Sequence, residues 1–265
     1  MGTDSAPARC DRTSGTRDHG GRMSTHWEAG KENARMRSSR LVIVCVAVLA
    51  TLGLTATTAN AAVWGSAENF ATWSEGGYTV RDNVWGSGVG PQTVWANSHA
   101  DWGVWADHPD TGGVKSYPHS ARAIDSPVSA LESLNSEFDV TVPDAGSYAT
   151  AYDIWVDDHD YEIMLWLNQH GAVGPLGPRV ATVDVGGHPW EVHRGSNGHN
   201  EVFSFVRQED TTTGTVDIKS VMSWIVRQDW FSADATVGEV QFGFEITSSS
   251  GGMDFVSNEY SVAVN

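Results

Sequence analysis

Residues 147–167 read SYATAYDIWVDDHDYEIMLWL, and their alternation decides the fold. Successive side chains of a strand leave from opposite faces, so Tyr161, Ile163, Leu165 and Leu167 point one way and Glu162, Met164 and Trp166 the other. Tyr152-Asp153-Ile154-Trp155-Val156 repeats the pattern and turns Asp153 outward. Between the two runs, Asp157-Asp158-His159-Asp160 reads as a charged hairpin turn; it lacks the glycine and terminal glutamate of a calcium loop. Further period-two segments lie at 78–84, 136–142, 180–185, 201–206, 239–246 and 255–264, punctuated by Gly, Pro, Asn and Asp. Regular short strands of this kind indicate an all-β sandwich or barrel. Gly186-Gly187 marks a tight hairpin. One segment departs from the rule: Ile218, Val221, Met222, Ile225 and Val226 follow helical spacing behind a possible Asp217 cap, which predicts one amphipathic helix packed on a sheet.

The remainder of the chain divides in two. Residues 41–54 (LVIVCVAVLATLGL) form an apolar run of 14 residues, short of the ~20 that a membrane-spanning helix needs. Arg35, Arg37 and Arg40 precede it and Ala59-Asn60-Ala61 follows, the order of a secretory signal with cleavage after Ala61. The expected leader is 1–61, or a compact 26 residues if read from Met36, and 62–265 is expected to form a single domain on the extracellular side. That domain carries 28 acidic against 8 basic residues, a net charge of -20. Such a surface repels phosphates, which excludes nucleic acid and anionic membranes as expected partners and suits a neutral substrate. Both cysteines, Cys10 and Cys45, fall in the leader, leaving neither disulfide nor thiol chemistry to the domain. The ten histidines show no metal-site spacing, so no metal and no cofactor is expected. Eleven of twelve tryptophans lie in the domain; beside Asn, Asp and Gly they fit the stacking of pyranose rings as well as core packing.

Chemistry is expected on the outward strand faces. In Val240-Gln241-Phe242-Gly243-Phe244-Glu245-Ile246 the apolar residues form the core face, leaving Gln241, Gly243 and Glu245 opposite. Glu162, Glu245 and Asp153 thus occupy outward faces of three aromatic-rich strands. Glycosidic cleavage requires one ionised and one protonated carboxyl flanking a single bond, and such strands can supply the pair.

Eight segments carry a resemblance: Tyr78–Gly86, Lys115–Pro118, Tyr152–Trp155, Glu162–Leu167, Trp190–Val192, Gly195–Gly198, Val202–Val206 and Val240–Glu245. Their residues and order resemble family 12 of the glycoside hydrolases, also called cellulase family H, from about Tyr78 to Val264. The resemblance implies a jelly roll of two curved antiparallel sheets with one helix, acting as a secreted, monomeric, retaining endo-β-1,4-glucanase on cellulose or related β-glucans. It further implies Glu162 as nucleophile, Glu245 as general acid/base and Asp153 as the acid beside the nucleophile. Asn83, Trp85 and Asn197 become sugar-binding residues, and Met164, which its strand position leaves open as either packing or cleft wall, becomes a wall of the cleft. Mixed-linkage glucan and xyloglucan stay open as substrates. A non-catalytic lectin would fit the aromatics without requiring both glutamates, and jelly-roll xylanases place their nucleophile in a Glu-Tyr-Tyr context unlike Glu162-Ile163-Met164. Three departures stand out: Asp82 replaces the first of a usual Asn pair, with altered sugar contacts expected there. His193 and Ile246–Ser250 also differ, with a reshaped leaving-group side expected.

Overall fold

The computed structural model describes residues 61–265; the expected leader, with its apolar run at 41–54, lies outside them but for Ala61. Among the described residues, no helix is long and apolar enough to cross a membrane. The strands run β1 (Trp64–Ser66), β2 (Thr72–Glu75), β3 (Tyr78–Arg81), β4 (Gln92–Ala96), β5 (Trp102–Ala106), β6 (His119–Pro127), β7 (Leu134–Thr141) and β8 (Ser147–Val156). They continue as β9 (Tyr161–His170), β10 (Arg179–Val185), β11 (His188–Ser196), β12 (Glu201–Arg207), β13 (Thr213–Asp217), β14 (Thr236–Ser248) and β15 (Met253–Val264), with helix α1 (Ile218–Arg227) after β13.

Two sheets result. One has the order β1-β4-β5-β15-β7-β13, the other β10-β11-β12-β9-β8-β14-β6-β3-β2. Neighbours are antiparallel, except that β12 runs parallel to β9. The inward residues of β8, β9 and β14 (Tyr152, Ile154, Ile163, Leu165, Phe242 and Phe244) are fully buried against the smaller sheet. Trp102 meets Phe244 at 5.5 Å between ring centroids, Phe242 stacks on Tyr260 at 5.1 Å, and Phe138 meets Tyr152 edge-on at 6.2 Å. Burial of such rings dominates the stability of a domain that contains no cysteine. Trp190 is fully buried and donates its indole N–H to Val185 O at 3.0 Å.

The hairpin at Gly186-Gly187 pairs Val185 with His188, and both glycines have positive φ (63° and 85°), as a two-residue primed turn demands. The helix starts where Asp217 accepts the Ser220 N–H at 2.9 Å, and it buries Ile218, Val221, Met222 and Ile225. The Asp157–Asp160 segment is indeed the β8–β9 turn. Strands β5 and β6 escape the alternation rule. In β6 the inward side holds Ser120 and Arg122, whose guanidinium lies 5.4 Å over the Tyr78 ring, while the small residues Ala121 and Ala123 face out.

Candidate active site

The outward face of the larger sheet carries a cavity of about 390 Å³. Six of the seven residues expected to act there line it: Asn83, Trp85, Asp153, Glu162, Asn197 and Glu245. Met164 does not. It is 5 % exposed and packs with Ala149, Ala151, Trp166 and Val202 in a small apolar cluster, so its burial corrects the expected cleft wall to a packing position.

Register places the acids. Asp153 of β8 pairs with Gln241 of β14 and Met164 of β9, Trp155 pairs with Glu239 and Glu162, and Glu245 pairs with Ala149. Trp155 and Ala149 are six residues apart on β8, a step of roughly 20 Å in a flat strand. Twist and coiling of the sheet are what bring Glu162 and Glu245 to one cavity.

Each carboxyl has its own environment. Glu162 is raised by burial, opposed by Asn200, whose Nδ2 donates to Glu162 Oε2 at 2.9 Å, and by His159. Glu245 has no such donor: burial and the Glu162 charge push it up to about 7. Asp153 is raised well above the carboxylate range by burial and by both glutamates; it is 5 % exposed and its Oδ1 has no protein partner. Asn200, 7 % exposed, was not foreseen. The signal was present in Asn197-Gly198-His199-Asn200, because an Asn side chain can cap the backbone two or three residues on. Asn197 Oδ1 does so, accepting from His199 N at 2.9 Å and Asn200 N at 3.1 Å.

The far side of the cavity is equally constructed. Asn83 sits in left-handed backbone (φ 48°) and donates to Tyr117 O at 3.3 Å. Trp85 projects 51 % exposed because the next turn hugs the chain: a Cβ on Gly86 would lie 2.2 Å from Val114 O. Arg81 grips Glu239 with two bonds of 2.9 and 3.2 Å, and Gln241 also donates to Glu239. Burial alone would raise Glu239, but these donors lower it below the ordinary range. His119 donates Nδ1–H to Tyr117 O at 2.7 Å; burial lowers it to about 4, so it is neutral beside Arg81. Glu239 and Gln241 share the outward face of β14 with Glu245, and Trp155 shares that of β8 with Asp153. The same alternation that found the acids predicts these neighbours.

Burial resolves the first of the noted departures. Asp82 is fully buried, held by Gln92 Nε2 at 2.9 Å, so its side chain belongs to the interior and makes no sugar contact. His193 and Ile246–Ser250 lie outside the cavity lining. Among the described residues, no three His, Asp or Glu side chains converge as metal ligands.

Comparison with known proteins accords with this arrangement. Residues 76–265 match Glycosyl hydrolase family 12. A probable xyloglucan-specific endo-beta-1,4-glucanase A of Aspergillus fumigatus is 30 % identical over 236 residues, covering 80 % of this chain and 96 % of the relative. Endoglucanase S of Pectobacterium parmentieri is 28 % identical over 243 residues, covering 80 % and 92 %. Among solved structures, the xyloglucanase domain of NopAA, a type three effector from Sinorhizobium fredii in complex with cellobiose, superposes with a TM-score of 0.74. It is 40 % identical, covering 77 % of this chain and 99 % of that one. With the match spanning both sheets and every strand that lines the cavity, the chain belongs to glycosyl hydrolase family 12 and is a glycoside hydrolase.

Proposed function

We propose that the protein is a secreted endo-β-1,4-glucanase that cleaves with retention, using Glu162 as nucleophile and Glu245 as acid/base. The observation that carries the reading is the asymmetry of the two glutamates: Glu162 alone receives an amide hydrogen bond, while Glu245 is pushed up to about 7. A hydrogen bond to the charged form favours ionisation, whereas burial beside a negative charge favours the proton.

Glu162 attacks the anomeric carbon as Glu245 passes its proton to the departing glycosidic oxygen, leaving a glycosyl ester on Glu162. The Glu245 carboxylate then takes a proton from water, whose oxygen attacks the same carbon and releases Glu162. Asp153, kept neutral by burial, adds no further negative charge against Glu162. Trp85 offers an exposed indole face to a glucosyl ring upstream of the cut, with Asn83 near it in the chain and Asn197 in the loop on the Glu162 side of the cavity. Export through the 1–61 leader belongs to the same reading and is tested by the N-terminus of the secreted protein, expected near Ala62.

The mechanism is tested with an activated aryl β-cellobioside and azide. Glu162→Ala is expected to lose turnover and regain it with azide as the α-glycosyl azide; Glu245→Ala is expected to yield the β-azide. Exchange of the two products between the variants, or near-wild-type turnover in either, would overturn the assignment.

A further inference from the structure

The β8–β9 turn is strained. Asp157, Asp158 and His159 all hold left-handed backbone (φ 50°, 50° and 76°), a conformation easy for glycine and uncommon for residues with a Cβ, and no glycine stands in Asp157–Asp160. The turn is nonetheless stitched in place. Asp157 N–H donates to Thr236 O at 2.9 Å, Thr236 N–H to Asp157 Oδ1 at 2.7 Å, and Asp160 N–H to Asp157 O at 3.0 Å. Strain fixed this firmly at the edge of a cleft points to a side chain that has to be aimed.

That side chain is His159. Its ring reaches back to β8 and lies 4.7 Å from the Trp155 ring, tilted 45° to it. Trp155 is the direct cross-strand partner of Glu162, which sets their Cβ atoms about 5 Å apart. His159, Trp155 and Glu162 all line the candidate active-site cavity. Three basic side chains line it: Arg81 is held by Glu239 through two bonds, His119 is buried and neutral, and His159 is the third. The Asp158 carboxylate stands 3.9 Å from His159 Nδ1, beyond hydrogen-bond reach, and is fully exposed, so water weakens its hold.

The other charged groups around the ring are engaged or set apart. Asp157 is spent on Thr236, and Asp153 is neutral through burial. Glu239 faces Trp155 from β14 but is held by Arg81 and Gln241. Glu245 pairs with Ala149, six residues along β8 from Trp155. A neighbouring cavity of about 490 Å³, which His159 also lines, brings Asp125 of β6 to its rim. Glu162 is thus the carboxylate beside Trp155 that lacks a cationic partner. Burial raises it, and Asn200 followed by His159 opposes the rise. An imidazole carries its positive charge in acid and loses it around neutrality, so this support comes where a carboxylate most needs it.

Resting on Glu162 as the nucleophile, we infer that His159 is its positioning residue: the imidazolium, held on Trp155, pairs electrostatically with the Glu162 carboxylate and sustains attack on the anomeric carbon in acid. The test is inactivation by a dinitrophenyl β-cellobioside fluorinated next to its anomeric carbon, which traps the glycosyl ester. A Glu162 carboxylate oxygen bonds to the anomeric carbon while dinitrophenolate departs with the bonding pair. No proton from Glu245 is needed, so the rate follows the ionisation of Glu162. In His159→Asn, which left-handed backbone tolerates, the ratio of the rate at about pH 4.5 to that at about pH 7 is expected to fall about three- to tenfold against the wild type. His159→Lys keeps a cation and is expected to recover most of the ratio. Equal loss at both pH values in His159→Asn makes His159 a packing residue and overturns the inference. An unchanged ratio does the same, as does a folded His159→Lys that behaves like His159→Asn. Mass spectrometry of the labelled peptide separates this from the reading beneath it. The sugar on Glu162 with an unmoved ratio overturns the inference alone, whereas the sugar on another residue overturns the nucleophile assignment and the inference with it.

Discussion

Two glutamates of one chemical type diverge because a single amide reaches only one of them. Asn197 spends its carbonyl oxygen on two backbone N–H groups, and the turn so formed aims Asn200 at Glu162. Asn197 is thus the builder of the contact as well as a cavity residue. Removing the amide in Asn200→Ala raises Glu162 further, so the ionised nucleophile appears only at higher pH. The acidic limb of kcat/KM is expected to move upward, with about a tenfold loss near pH 5 and a smaller loss at pH 7. An unshifted limb would make Asn200 a merely structural residue. The alkaline limb of the wild type is expected near 7, because Glu245 must carry a proton to act and loses it there. Asp82 offers a test of stability. Burial raises it to about 6, against 3.8, so the folded state holds its proton more tightly than the unfolded chain. Stability present below about pH 4 is lost as pH rises through 6, approaching about 3 kcal/mol at neutrality. Asp82→Asn keeps an oxygen for Gln92 without the charge. It is expected to raise stability at pH 7 by about 1–3 kcal/mol and to change little at pH 4, as read by denaturant titration.

Strands reach the site by close approach of backbone to backbone. Gly243 of β14 sits beside His119 of β6, where a Cβ would lie 2.0 Å from Pro118 O and 2.8 Å from His119 Cα. That contact is backbone and cannot swing away. Gly243→Ala is therefore expected to cost about 1–3 kcal/mol and to disturb Gln241 and Glu245 on the same strand face, lowering the melting temperature and kcat together. Full activity with an unchanged melting temperature would show that β6 and β14 separate freely. The helix is a gentler case. Asp217→Ala removes one capping bond and is expected to cost about 1 kcal/mol without altering kinetics, since α1 is not among the cavity's elements.

Charge acts over the whole domain. A net -20 on residues 62–265 means like charges repel across the surface, which favours expansion at low ionic strength. Raising the salt from about 0.01 to 0.15 M shortens the screening length from about 30 to 8 Å. The melting temperature at pH 7 is expected to rise, and a fall would show that the few surface ion pairs outweigh the repulsion. At this scale the limits of the sequence are also plain. Alternation along β8, β9 and β14 identified the all-β class and the outward acids, because the side-chain period of a strand is a local property. Helical spacing found α1 for the same reason. Strand β6 was illegible: its inward Arg122 and outward alanines invert the usual pattern, and the inward arginine makes sense only against Tyr78, over whose ring its guanidinium lies. Met164 shares its strand face with Glu162, so alternation assigned both to the cleft, yet only the packing of Ala149, Ala151 and Val202 decides which stays open. The sequence by itself thus determined which residues leave each strand together. Tertiary structure alone decided that Glu162 and Glu245, about 20 Å apart by register, face one cavity, because twist and coiling accumulate over many paired strands and are written in no single one.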